Sequence, residues 1–152
     1  MYSQRMVALI LLVFWLASSS VIADGGSYSN SNSRLAPFQE LIENEEYEQS
    51  IARLEEALRD DPDDADLLNL MAFSNRKLGK FDVALGFYQK ALEIEPKHRG
   101  ANEYLGELYL QLGQPEEAEK RLAVLDKACF FGCREYDELK QAIAEYRMKN
   151  PS

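Results

Sequence analysis

Residues 65–98 are followed by 34 residues that repeat their chemical layout. At that offset Met71-Ala72 falls over Leu105-Gly106, Gly79 over Gly113, and Ala84 over Ala118. A period of this length constrains a chain more than its composition does. Each unit is one supersecondary element whose apolar face is hidden only by its neighbours. In the first copy Leu67, Leu70, Met71, Ser74 and Leu78 follow a spacing of three and four, the pattern of one buried helix face. Gly79-Lys80 is predicted to end that helix, since glycine takes positive φ at little cost. A second helix carries Phe81, Ala84, Leu85, Tyr88, Ala91 and Leu92 and stops at Pro96, which cannot continue a helix. The small residues Ala72, Ala84 and Ala91 are expected where two helix axes approach closely.

The next copy runs through Tyr104, Leu105, Gly106, Leu108, Tyr109 and Leu112 to a Gly113-Gln114-Pro115 turn, then Ala118, Leu122 and Leu125. Proline suits the first turn of the new helix. Read backwards, the period puts Pro62 at the close of an earlier unit, whose second helix carries Tyr47, Ser50, Ile51, Leu54, Ala57 and Leu58. Its first helix is expected to be short, from Pro37 to Asn44. Beyond Cys133, Tyr136, Leu139, Ile143 and Tyr146 form one more apolar face. Lys140, Glu145, Arg147 and Lys149 are expected to give this end piece its polar outer side.

The order of apolar, small and aromatic positions closed by Pro96 resembles the tetratricopeptide repeat (TPR) family. The resemblance implies an all-α fold, a TPR-type α-solenoid of about 2.5–3 helix-turn-helix repeats plus a C-terminal capping helix. The expected domain spans 35–148, with repeats at about 35–64, 65–98 and 99–132 and the capping helix at about 133–148. Some positions depart from the family. Leu68 and Asn102 stand where the pattern has tryptophan, and Leu125 stands where it has alanine. In place of a closing proline the last unit has Cys129-Phe130-Phe131-Gly132-Cys133, which resembles the C-terminal signature of small exported bacterial TPR proteins.

Residues 1–23 read as a signal peptide, kept out of the fold. Arg5 supplies the positive start, 7–17 the apolar core, and Val21 and Ala23 the −3 and −1 positions of a cleavage site after Ala23. The core is shorter than the ~20 residues of a membrane span. An uncleaved anchor is the second reading, and the only route by which the chain would meet a membrane. Residues 24–34, rich in Gly, Ser and Asn, read as a flexible linker. The expected destination is a bacterial periplasm, with the extracellular space second.

Charge is uneven along the chain, whose formal net charge is −9. Residues 24–66 hold 13 acidic and three basic side chains, whereas 67–152 hold 13 of each, so the N-terminal repeat carries the whole excess. Nucleic acid is excluded as a partner, because phosphates would meet that end with repulsion. Asp60, Asp61, Asp63, Asp64 and Asp66 around Pro62 read as a solvated end with helix N-terminal charge, or as a docking face for a basic partner. They lack the glycine and closing glutamate that an EF-hand loop requires.

Cys129 and Cys133 are the two cysteines of the chain. After export an oxidised pair is the default expectation, and a corner bent at Gly132 would be able to bring their Cα atoms into the ~4.4–6.8 Å range of a disulfide. Two other readings stay open. One is a redox-active pair, although the spacing is not that of Cys-x-x-Cys. The other is a soft-metal site for Cu(I), with Met148 and Met71 as the nearest third ligands. Haem attachment is disfavoured by Arg134, which stands where a histidine would follow. Phe130 and Phe131 are expected to plug the end of the core, or else to form an exposed apolar patch.

No catalytic constellation is legible. His98, the one histidine, is expected as a surface residue at a helix start, and no Gly-x-Ser-x-Gly, P-loop or dinucleotide glycine pattern is present. No cofactor is expected. The TPR resemblance implies a concave groove lined by the first helix of each unit, here Asp66, Asn69, Phe73, Arg76 and Lys77, then Glu103, Glu107, Leu110 and Gln111. Phe73 reads either as a free apolar ring flanked by two cations or as a ring buried against the next repeat. The expected function is a non-catalytic adaptor or assembly factor of the cell envelope that binds a protein partner in this groove. The alternative is a copper or redox accessory protein acting through Cys129 and Cys133.

Overall fold

The computed structural model describes residues 28–151, so the expected signal peptide 1–23 and its cleavage site lie outside the described residues, as do 24–27 of the linker. Among the described residues the structure is helical throughout: α1 (Tyr28–Glu43), α2 (Tyr47–Asp60), α3 (Ala65–Lys77), α4 (Phe81–Ile94), α5 (Arg99–Gln111), α6 (Pro115–Ala128) and α7 (Arg134–Lys149). Three helix-turn-helix units, α1–α2, α3–α4 and α5–α6, stack in order, and α7 covers the last.

The turns inside the units occupy equivalent positions. Gly79 and Gly113 take φ of 73° and 72°. At the matching place in the first unit stands Glu45, also left-handed, with φ 61°. Helix starts follow their own chemistry: Asp64 accepts the Leu67 N–H at 3.1 Å ahead of α3, and Pro115 opens α6.

The core is a string of three local clusters rather than one centre. Leu35, Leu54, Leu67 and Met71 join α1, α2 and α3. Leu68, Ala72, Ala84, Tyr88, Ala91 and Leu105 join α3, α4 and α5. Leu110, Ala118, Leu125, Leu139 and Ile143 join α5, α6 and α7. Asn102, at the tryptophan position of its unit, is fully buried. Its amide donates to the Pro96 and His98 carbonyls at 3.1 and 2.9 Å, tying down the α4–α5 connection in place of an aromatic ring.

The expectation for the N-terminal end needs correction. α1 begins at Tyr28, well inside the stretch read as linker, and runs through Pro37 instead of starting there. Leu35 is buried against α2 and α3, and Arg34 bonds Asp64 and Asp66 at the start of α3. A helix anchored at those residues extends backwards cheaply, because propagation costs far less than nucleation. At the other end α7 lies against α5 where Gly106 leaves room. A methyl group there would sit 2.6 Å from both Cδ atoms of the fully buried Leu139.

Candidate functional site

Successive first helices touch one another, α1 with α3, α3 with α5, and α5 with α7, whereas α2, α4 and α6 do not. The stack therefore curves with α1, α3, α5 and α7 on its inner side. Three adjoining hollows form one trough across them. The first, between α1 and the aromatic pair, is lined by Ile42, Leu70, Phe73 and Tyr104. The middle hollow, about 450 Å³, shares Phe73 and Tyr104 with the first and adds Lys77, Glu138 and Gln141. The third, about 470 Å³, shares Arg76, Glu107, Ala142 and Glu145 with the middle one and reaches Leu110, Gln111 and Tyr146.

At the centre of the trough Phe73 packs on Tyr104 of the next unit, ring centroids 4.8 Å apart and planes at 59°. Phe73 is half-buried, so it both packs against a neighbour and presents an edge to solvent. The Arg76 guanidinium lies 5.3 Å from the Phe73 centroid and 5.7 Å from that of Tyr104. Arg76 is not the free cation its position suggested. It is buried, and its Nη2 bonds Glu107 Oε2 at 2.8 Å. Lys77 remains exposed, its ammonium 5.8 Å from Phe73 and 6.0 Å from Tyr47.

Other expected groove residues fall in different places. Asn69 is buried at the start of α5, beside Gly100, and does not line the trough. Glu103 does line it, yet only 2% of its surface is exposed. Burial, and then the Glu138 and Glu107 carboxylates, push the Glu103 carboxyl up to about 9, so it is protonated at neutral pH. Asp66 is drawn away from the trough into a polar row along the starts of α1, α3 and α5. Its Oδ1 meets His98 Nε2 at 3.1 Å and its Oδ2 meets Arg34 at 3.1 Å. The His98 hydrogen bond holds the Asp66 carboxyl below the usual range, outweighing the opposing effect of burial.

His98 itself is buried, not on the surface. Its Nδ1 accepts the Ala101 N–H at 3.1 Å, which leaves Nε2–H to donate to Asp66. Tyr104, Ile42 and the α7 residues Glu138, Gln141 and Glu145 line the trough although sequence reasoning did not place them there. The 34-residue offset carries Asn69 onto Glu103 and Phe73 onto Glu107, so it passes over the tyrosine. Glu145, expected on the outer side of α7, faces inward.

Cys129 and Cys133 are bonded, with Cα atoms 5.5 Å apart, across a corner where Gly132 has φ 83°. Neither suggested third ligand is near the sulfurs: Met71 lies in the α1–α2–α3 cluster and Met148 at the far end of α7. Among the described residues no group of three or more His, Cys, Asp or Glu side chains is arranged to hold a metal ion. Phe130 and Phe131 do not plug the core; they are 88% and 96% exposed.

Two family models, both described as tetratricopeptide repeat, match residues 35–98 and 75–143. No curated protein matches the sequence. Among solved structures, the chain is similar to the Yersinia enterocolitica type III secretion translocator chaperone SycD, at 16% identity and a TM-score of 0.67. That likeness covers 81% of this chain and 96% of the other. It is also similar to PcrH, solved in complex with the chaperone binding region of PopD, at 16% identity and a TM-score of 0.63, covering 82% and 93%. A chain of the CopN–Scc3 complex gives 18% identity and 0.59, covering 88% and 81%. At these identities the likeness is one of fold.

Proposed function

Since the chain belongs to the tetratricopeptide repeat family, we propose that it is a non-catalytic adaptor that holds a segment of a protein partner in its inner trough. The observation that carries this reading is the Phe73–Tyr104 pair. Two aromatic rings from successive units are held together under a buried guanidinium, half-open at the centre of a continuous hollow. Such a platform suits one apolar anchor side chain of a bound segment, the arrangement of a hot spot rimmed by polar groups. Arg76 is already neutralised by Glu107 and Glu138 by Arg134, so an acidic group of the ligand would pair with Lys77, and a basic one with Glu145. The complex of PcrH with a binding region of PopD supports a peptide segment as the ligand class.

The expected place of work is outside the cytoplasm, as an assembly factor of the cell envelope. The signal-like segment 1–23 and the Cys129–Cys133 bond support this. Photo-crosslinking tests the trough directly. A crosslinking residue at Lys77 should trap a partner in the native compartment, and one at Lys90, on the outer helix α4, should not. Phe73→Ala with Lys77→Glu should abolish capture and leave helicity unchanged. Arg76→Glu is unsuitable, because it would set two carboxylates together in a buried place. Crosslinks from Lys90 alone, or capture undiminished in the double variant, would move the site out of the trough.

A further inference from the structure

The C-terminal end of the solenoid carries an apolar protrusion beside an apolar groove. The protrusion is the Phe130–Phe131 pair, rings 5.0 Å apart and edge to face, on a loop closed by the Cys129–Cys133 bond. The groove, about 530 Å³, runs between α6 and α7 over Leu122, Ala123, Ile143 and Ala144. Asp126 and Tyr136, which line it, flank the Phe130–Phe131 loop in sequence. We propose that two copies of the chain pair end to end, each placing Phe130 and Phe131 in the α6–α7 groove of the other.

The repeat explains why the groove exists. At twice the 34-residue offset Tyr136 and Lys140 of α7 correspond to Leu68 and Ala72 of α3. In the complete unit Leu68 and Ala72 are covered by Ala84, Tyr88 and Ala91 of its second helix. On α7 the same face has no second helix among the described residues, and a repeat cannot hide such a face by itself. A second copy supplies the cover.

Charge selects this end. Two copies of a chain with net charge −9 repel, but the excess lies in 24–66, and 67–152 are balanced. The groove is mixed in sign: Glu119 is paired with Arg147, while Asp126 and Lys140 stand along it. A lipid surface is a poorer fit, because the residues around the protrusion, Asp126, Lys127, Arg134, Glu135 and Asp137, have no cationic excess.

Area is sufficient. An aromatic side chain buries roughly 150–250 Å², so two reciprocal Phe pairs and the grooves receiving them reach the ~1,200–2,000 Å² of a stable interface. A two-fold arrangement makes both contacts identical. The disulfide holds the loop in advance, which lowers the ordering cost of association.

Sedimentation velocity of the purified full chain over a concentration series tests the pairing. The wild type should form dimers. Phe130→Ser with Phe131→Ser removes the protrusion, and Ala144→Glu charges an exposed position of the groove; each variant should sediment as a monomer with unchanged circular dichroism. Mixed together, the two variants retain one intact contact of the two. They should form a heterodimer weaker than the wild-type dimer and absent from either alone. A monomeric wild type, dimers in either variant, or no mixed species at the highest concentration would each overturn the proposal. Flotation with phosphatidylglycerol-containing vesicles that depends on Phe130 and Phe131 would do the same, by making the pair a lipid anchor.

Discussion

Glu45 is the residue at which the repeat departs most from its own rule. The two later units turn on glycine, while the first turns on a glutamate with φ 61°. A side chain in that region costs about 1 kcal/mol or more, and glycine avoids the cost. Glu45→Gly should therefore raise stability by roughly 0.5–1 kcal/mol, read as a higher urea midpoint with an unchanged slope; a lower midpoint would show that the left-handed turn is not maintained. At His98 the role differs from its exposed expectation for a reason local to one residue. A side-chain nitrogen facing the Ala101 N–H serves as the helix cap, and Asp66 of the previous unit fixes the other nitrogen. Asp64 and Asp66 likewise belong to a polar row with Arg34 and His98 that ties α1, α3 and α5 together, whereas Asp60 and Asp61 take no part in it and stay exposed.

Between elements, the seam of α5 and α7 decides how the trough ends. Gly106 lets Leu139 approach, and this brings Glu138 against the buried Glu103. Burial, and then the Glu138 carboxylate, push the Glu103 carboxyl up to about 9 in the folded chain against an ordinary 4.5. The folded state thus keeps a proton that the unfolded state releases, and its stability falls as pH rises between those two values. Glu103→Gln should remove this slope. Near pH 8 the variant should unfold at higher urea than the wild type, and below about pH 5 the two should converge. Chemical denaturation at both pH values checks the sign. A wild-type midpoint that rises from pH 5 to pH 8 relative to the variant would show that Glu103 is ionised in the fold. Because α7 forms one wall of the trough, loosening this seam at high pH should also weaken partner capture.

At the scale of the whole molecule, the proposed export and the capped end meet in one covalent bond. Protein taken from its native compartment should begin at Asp24 and show no free thiol before reduction; two reactive thiols there would remove the case for the bridge. The loop closed by Cys129 and Cys133 is short, so replacing both by serine should cost about 2 kcal/mol at most and leave the helices intact by circular dichroism. The 34-residue period, together with the three-and-four apolar spacing within each helix and the resemblance to the tetratricopeptide repeat family, determined the α-solenoid, the helices from α2 onward, the turn glycines and the capping helix. It could do so because burial by nearest neighbours recurs along the chain and is legible in each unit alone. The same argument reached the inner helices but not their chemistry. Phe73, Lys77, Glu107, Leu110 and Gln111 line the trough, while Asn69 is buried elsewhere and Arg76 is neutralised. Only the tertiary structure decided the pairing of Tyr104 with Phe73, the proton on Glu103, the length of α1 and the exposure of Phe130 and Phe131. The physical reason is that periodicity records which face of a helix is buried. Which side chain meets it there depends on how closely the next helix is seated, and that distance is set by contacts between units such as Gly106 with Leu139.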